Sequence, residues 1–221
     1  MKKILVIAPH PDDEVLGCGG TIAKFSKEGH AVYVAILTKA GPPLYDLSLV
    51  EEARRDALAS HKLLGVKDTF FCDLPAANVD TVPHHQVNQI IVDVLKKIQP
   101  EIVFIPFGGD IHLDHQCIFL SSLVALRPNQ FKYPSWVCAY EVLSETNWNA
   151  TFSISSFQPN LFVDITGFLD LKLQAFSLQR SQVKEFPHER SLKALEALAL
   201  LRGSTVHRSA AEAFVVIRQV I

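Results

Sequence analysis

Two short stretches hold most of the side chains in this chain that could do acid–base or metal chemistry. The first is Pro9-His10-Pro11-Asp12-Asp13-Glu14, in which prolines stiffen a run of one imidazole and three carboxylates. The second, far downstream, is Asp110-Ile111-His112-Leu113-Asp114-His115. Together they supply the donor set of an open metal site, in which three His and carboxylate ligands leave a fourth position to water. His10, Asp13 and His115 are the candidate ligands. Zinc suits that set, and iron (Fe2+) or manganese can occupy the same geometry. Asp12, adjacent to Asp13, is placed to take a proton from a metal-activated water. His112 could protonate a leaving group or polarise a tetrahedral oxyanion, oriented by Asp110 or Asp114. The chemistry so described is metal-assisted hydrolysis of an amide or ester.

Such a site needs elements that bring the two stretches face to face. Short aliphatic runs at 4–8, 31–37, 69–72 and 102–106 read as strands, near-continuously apolar and so buried on both faces. Amphipathic patterns at 15–27, 48–64, 84–98 and 115–126 read as helices, stopped by glycine or proline. The alternation predicts an α/β three-layer sandwich with a mostly parallel sheet. Later segments are less regular: strands at 135–143, 161–164 and 213–220, and helices at 167–182 and 191–201. Both reactive stretches then follow strand carboxyl ends, where open α/β sheets bind ligands. If the strand order reverses between the first strand and that at 102–106, one crevice receives both. Loops 40–46 and 144–159 are the candidate substrate lids.

Composition narrows the partners. With 221 residues, 48% of them hydrophobic and 20% charged, the chain can bury a large core as one domain spanning 1–221. Lys plus Arg is 21 against 23 for Asp plus Glu, which offers no basic excess for nucleic acid or an anionic membrane. A small molecule fits better, and no apolar stretch spans a bilayer. Cys18, Cys72, Cys117 and Cys138 have no zinc-ribbon or CxxC spacing and read as reduced thiols of a cytoplasmic protein. Gly17-Cys18-Gly19-Gly20 departs from a phosphate-binding spacing, follows three carboxylates, and reads as close helix packing.

The segment Ala8-Pro9-His10-Pro11-Asp12-Asp13-Glu14, followed by Leu16-Gly17-Cys18-Gly19-Gly20-Thr21, resembles the signature of the LmbE-like, or PIG-L-type, de-N-acetylase family. Glu52-Ala53-Arg54-Arg55-Asp56, the Asp110 to His115 motif, Phe186-Pro187-His188, Arg202-Gly203 and Ala211-Glu212-Ala213-Phe214 extend the likeness over nearly the whole chain. The resemblance implies a Rossmann-like fold, zinc on His10, Asp13 and His115, and Asp12 as general base. It makes His112 the acid or oxyanion-stabilising histidine with Asp114 as its orienting partner, and places Arg54 near the substrate. It further implies removal of acetate from an N-acetylglucosamine-type amino sugar, and members are often homo-oligomers. Two positions depart: Gln179 stands where many relatives have histidine, and His207 where they often have glycine. The motifs lie nearer to members of surface-polysaccharide synthesis. Two other readings compete, a metallo-amidase acting on a larger conjugate and a non-catalytic binder of a sugar nucleotide. Asp12 argues against the binder, which needs no spare carboxylate beside a metal water.

Overall fold

A computed structural model describes residues 1–128, 133–148, 150 and 156–221. The strands are β1 (Lys3–Ala8), β2 (Ala31–Lys39), β3 (Asp68–Pro75), β4 (Ile102–Pro106), β5 (Trp136–Tyr140), β6 (Leu161–Asp164) and β7 (Ala211–Gln219). The helices are α1 (Asp13–Lys27), α2 (Leu47–Leu64), α3 (His84–Ile98), α4 (Leu113–Ala125), α5 (Leu169–Ser177) and α6 (Leu192–Thr205).

Among the described residues seven strands join one sheet in the order β3-β2-β1-β4-β5-β7-β6. The five strands from β3 to β5 run parallel, and β7 lies antiparallel between β5 and β6. The mostly parallel sandwich expected from periodicity is therefore observed. Alternation along β1 explains the layering. Ile4, Val6 and Ala8 pack into a core with residues of α1, α2, α5 and α6, whereas Leu5 and Ile7 pack on the other face with α3 and α4. Each fully buried side chain of this kind contributes roughly 1.5–3 kcal/mol, so both faces hold the sheet firmly.

β1 lies between β2 and β4, and the chain crosses to opposite sides of it on leaving. That is the reversal the site requires, and it sets the loop after β1 opposite the loop after β4. The glycine run of α1 permits close contact with the sheet: a Cβ on Gly17 would sit 2.3 Å from the Tyr140 ring. The Tyr140 hydroxyl in turn donates to the Ile7 carbonyl at 2.8 Å, tying β5 to the end of β1.

Differences from the sequence expectations cluster in the last third. The helix expected over 167–182 ends at Ser177, and tight turns carry the chain onward from Leu178. Gln179 lies in these turns, its backbone N–H bonded to Phe176 and its carbonyl accepting from Gln182 and Val183. Polar periodicity is similar in a short helix and a run of turns, which is why the boundary was not legible. His207 adopts φ 57°, a left-handed conformation that favours glycine. Of the lid candidate 144–159, residues 149 and 151–155 lie outside the described residues.

Candidate metal centre and active-site cleft

His10 leaves the end of β1, and its backbone N–H donates to Asp13 Oδ2 at 2.8 Å. Thr38 at the end of β2 holds the preceding Pro9 carbonyl through both its hydroxyl and its amide. Asp12 caps the start of α1 at φ 125°, a backbone region that favours glycine. The turn is held from the core side. Glu14 Oε2 accepts the Asp12 N–H at 3.1 Å, and Glu14 Oε1 meets His61 Nε2 at 2.9 Å. Thr69 on β3 completes the chain with a 2.8 Å contact to His61 Nδ1.

Across the crevice, His115 sits in the first turns of α4 with its ring fully buried. Its Nδ1 lies 2.8 Å from Asp110 Oδ2, and Thr146 donates to the other oxygen of Asp110 at 2.6 Å. That arrangement turns Nε2 toward Asp13, whose Oδ2 is 3.3 Å away. His10, Asp13 and His115 each place a ligand atom within 4.8 Å of the others. Among the described residues, Asp13 Oδ1 is buried without a hydrogen-bond partner, and His115 Nε2 has none beyond its 3.3 Å ion-pair contact with Asp13 Oδ2. Orphaned buried polar atoms of this kind are costly unless something else engages them, and a cation would. The residues therefore fit a metal.

Another grouping, His10, His112 and Asp114, has similar spacing. Its donor atoms are already committed, however. Asp114 Oδ2 accepts from Ala77 N–H at 2.6 Å and meets His10 Nε2 at 2.9 Å, while Asp114 Oδ1 accepts from Val79 N–H at 3.1 Å. His112 Nδ1 accepts the Asp114 backbone N–H at 3.1 Å as the N-cap of α4. This corrects one expectation: the Asp114 carboxylate orients His10, not His112. A carboxylate two residues along is directed away from the capping side chain, and the topology delivers it to the opposite loop. Each candidate ligand histidine thus has its own carboxylate behind it, Asp114 for His10 and Asp110 for His115.

The charges follow from this packing. Burial disfavours charge on His10, but Asp114 and Asp13 outweigh it and raise the pKa to about 9. Burial likewise opposes charge on His115, and Asp13 and Asp110 raise it to about 10. His112 is pushed down to about 4 by burial and by the two neighbouring imidazoles, so it is neutral near pH 7. With Nδ1 accepting a backbone N–H, the neutral ring carries its proton on Nε2. Burial raises Asp12 to about 8 against the opposing pull of Arg190, with Asp13 and Glu14 adding to the rise.

A cleft of about 380 Å³ opens over these groups, and His10, Asp12, His112 and Arg190 are among its lining residues. Tyr45, Leu49, Val50 and Arg54 line it too. The Arg54 guanidinium is paired with Asp73 and stacked 4.6 Å from the Phe71 ring centre. Tyr45 from loop 40–46 and Glu145 from the 144–159 segment also line it. His188 stays outside, its Nδ1 capping the turn at the Arg190 amide. Among the described residues the four cysteines form no disulfide, and Cys18 is buried in α1.

Sequence reasoning missed Arg190. Its guanidinium meets Asp12 Oδ2 at 2.8 Å, across 178 residues of chain. An isolated arginine in a loop carries no spacing signal, so only the fold reveals the contact. The pairing of Glu14 with His61 was missed for the same reason, since neither periodicity nor motif spacing pairs α1 with α2.

The chain is similar to several known proteins. Diacetylchitobiose deacetylase of Thermococcus kodakarensis is 30% identical over 221 aligned residues, covering 92% of this chain and 78% of the relative. The structure of N,N'-diacetylchitobiose deacetylase from Pyrococcus horikoshii, in complex with an inhibitor, superposes with a TM-score of 0.79 at 26% identity, covering 98% and 84% of the two chains. A 4-carboxy-2-hydroxymuconate hydratase from Pseudomonas putida shares the fold at 21% identity and a TM-score of 0.79, over 100% and 98% of the chains. The fold alone therefore does not decide the reaction. The family described as GlcNAc-PI de-N-acetylase matches residues 5–125, which include both reactive loops, and the chain belongs to this PIG-L, or LmbE-like, family.

Proposed function

We propose that this chain is a zinc-dependent hydrolase that removes the acetyl group from an N-acetylated amino sugar or sugar conjugate. One observation carries the reading: buried ligand atoms on Asp13 and His115 converge with His10 directly beside a carboxylate, Asp12, that lines the cleft. The relatives that are deacetylases of acetylated sugars support it. The cleft volume falls in the range that holds a small ligand.

His10 through Nδ1, Asp13, and His115 through Nε2 would hold the ion; Fe2+ is the alternative occupant. Zinc bound there supplies Lewis acidity toward a carbonyl and a water of lowered pKa. Asp12 takes a proton from the attacking water at Oδ1, because Arg190 engages Oδ2. The water oxygen adds to the acetyl carbon. His112 donates its Nε2–H to the carbonyl oxygen as negative charge builds there, the role its neutral state suits. Asp12 returns the proton to the sugar nitrogen as the C–N bond breaks, leaving acetate and a free amine. Burial raises the Asp12 carboxyl in the metal-free protein, which favours its holding the proton that it returns to nitrogen. Arg54 contacts the substrate from the cleft lining. Surface-polysaccharide synthesis in the cytoplasm is the setting we infer, and the near-neutral charge balance fits a neutral acetamide target.

Two substitutions test the assignment. Asp12→Asn is expected to retain metal and lose about 10²–10⁴-fold in acetate release. Asp13→Ala is expected to lose the metal itself. An Asp12→Asn protein with wild-type turnover would remove the general base from the account.

A further inference from the structure

Arg190 lies at the end of the turn-rich segment that follows α5, just before the Ser191 cap of α6. Its guanidinium is held on several sides. Nη1 donates to Asp12 Oδ2 and to Gln182 Oε1, both at 2.8 Å, and Nε donates to Ser144 Oγ at 2.7 Å. Nη2 lies 3.5 Å from Glu145 Oε1. Its backbone is fixed as well, with the carbonyl accepting from Lys184 N–H and the amide donating to His188 Nδ1. A cation needed only for charge balance would not require this many supports. A planar fork that must present one N–H at one oxygen does.

Asp12 is the group that gains from such support. It sits at a backbone angle that favours glycine, flanked by the carboxylates of Asp13 and Glu14. Glu14 and His61 fix its peptide from the core side, but they do not touch its carboxylate. Arg190 does, from the cleft side.

We propose that Arg190 is a positioning residue that fixes the Asp12 carboxylate by engaging Oδ2, so that Oδ1 faces the reacting water and nitrogen. Ser144 and Gln182 act one step further out by holding the fork. The proposal rests on the reading of Asp12 as the general base. A group misplaced by about 1 Å can cost about 10²-fold in rate, which sets the scale of the effect.

The test compares Arg190→Ala with wild type in metal content, kcat, KM and crystal structure, using N-acetylglucosamine and diacetylchitobiose as substrates. Arg190→Ala is expected to keep its metal, hold KM near the wild-type value and lose about 10²-fold in kcat. Added guanidinium ion is expected to restore part of kcat in a saturable way, and the Asp12 carboxylate to leave its wild-type position in the crystal. Retained kcat with a raised KM would make Arg190 a substrate-binding group and overturn the proposal. An unmoved Asp12 carboxylate would overturn it too. That structural readout decides the question even if wild type releases acetate from neither sugar, an outcome that would count against the deacetylase reading instead. Should Arg190→Ala fail to fold, the Ser144→Ala/Gln182→Ala double variant loosens the same fork. It is expected to lower kcat with KM unchanged, and unchanged kcat would refute the arrangement.

Discussion

Asp114→Asn changes one atom of a carboxylate that accepts three N–H groups, from His10, Ala77 and Val79. An asparagine amide has one acceptor oxygen and one donor nitrogen, so no orientation satisfies all three. With the oxygen kept toward His10 and Ala77, the NH2 group confronts the Val79 N–H, donor against donor. The flipped amide would confront both His10 Nε2 and Ala77, which is worse. The better orientation forfeits one hydrogen bond to a charged acceptor and leaves a buried donor unpaired. That costs about 1–3 kcal/mol. For a chain of this size the loss lowers Tm by roughly 2–4 °C per kcal/mol. His10 also loses the negative charge that orients its ring, and such a loss lowers metal affinity about 10–100-fold. Competition with a chromophoric chelator measures the affinity, and a thermal melt of the metal-free protein measures the stability. Because His112 Nδ1 accepts the Asp114 backbone N–H and is not held by its carboxylate, kcat of the metal-saturated variant should change little. Wild-type metal affinity combined with a large fall in kcat would refute the assignment and place Asp114 behind His112 instead.

Metal binding should be coupled to proton release, since burial is outweighed by Asp114, Asp13 and Asp110 in raising metal-free His10 to about 9 and His115 to about 10. Calorimetry in buffers of different ionisation enthalpy should find at least the two imidazole protons released near pH 7.5, and affinity that rises with pH until those values are passed; release near zero would mean neutral imidazoles in the metal-free protein. Because both folded values lie above the ordinary 6.5, their contribution to metal-free stability is complete below that pH and is lost as pH rises through about 9 to 10. Lys172→Met strands the buried Glu212, which pairs with Lys172 at 2.6 Å and also accepts the Gly20 and Thr21 amides. Denaturant unfolding should show a loss of about 3–5 kcal/mol, and a loss below about 1 would show that the two amides suffice for Glu212.

Much of the fold was legible because its central strands are buried on both faces. Ile4-Leu5-Val6-Ile7-Ala8 and Ile102-Val103-Phe104-Ile105 can be little else than interior parallel strands, and they fix where the reactive loops begin. The convergence of His10, Asp13 and His115 was legible from residue type at strand ends. Their supports were not. Which carboxylate stands behind which histidine depends on the β1–β4 crossing, so Asp114 turns out to serve the loop opposite its own. Arg190 and the Glu14–His61 pair are contacts between distant segments, and no local pattern encodes them. The end of α5 at Ser177 was missed because the residues that follow are stabilised by successive turns and not by an apolar face.

The central claim is that His10, Asp13 and His115 hold a metal that this site uses to release acetate. The most direct measurement is metal content of protein purified without chelator, paired with acetate release from a set of N-acetylglucosamine derivatives. The account predicts about one ion per chain, zinc or Fe2+, and acetate release that disappears with the metal and returns when it is restored. Protein that takes up no metal even after zinc is added back, or that releases acetate equally well without it, would contradict the account.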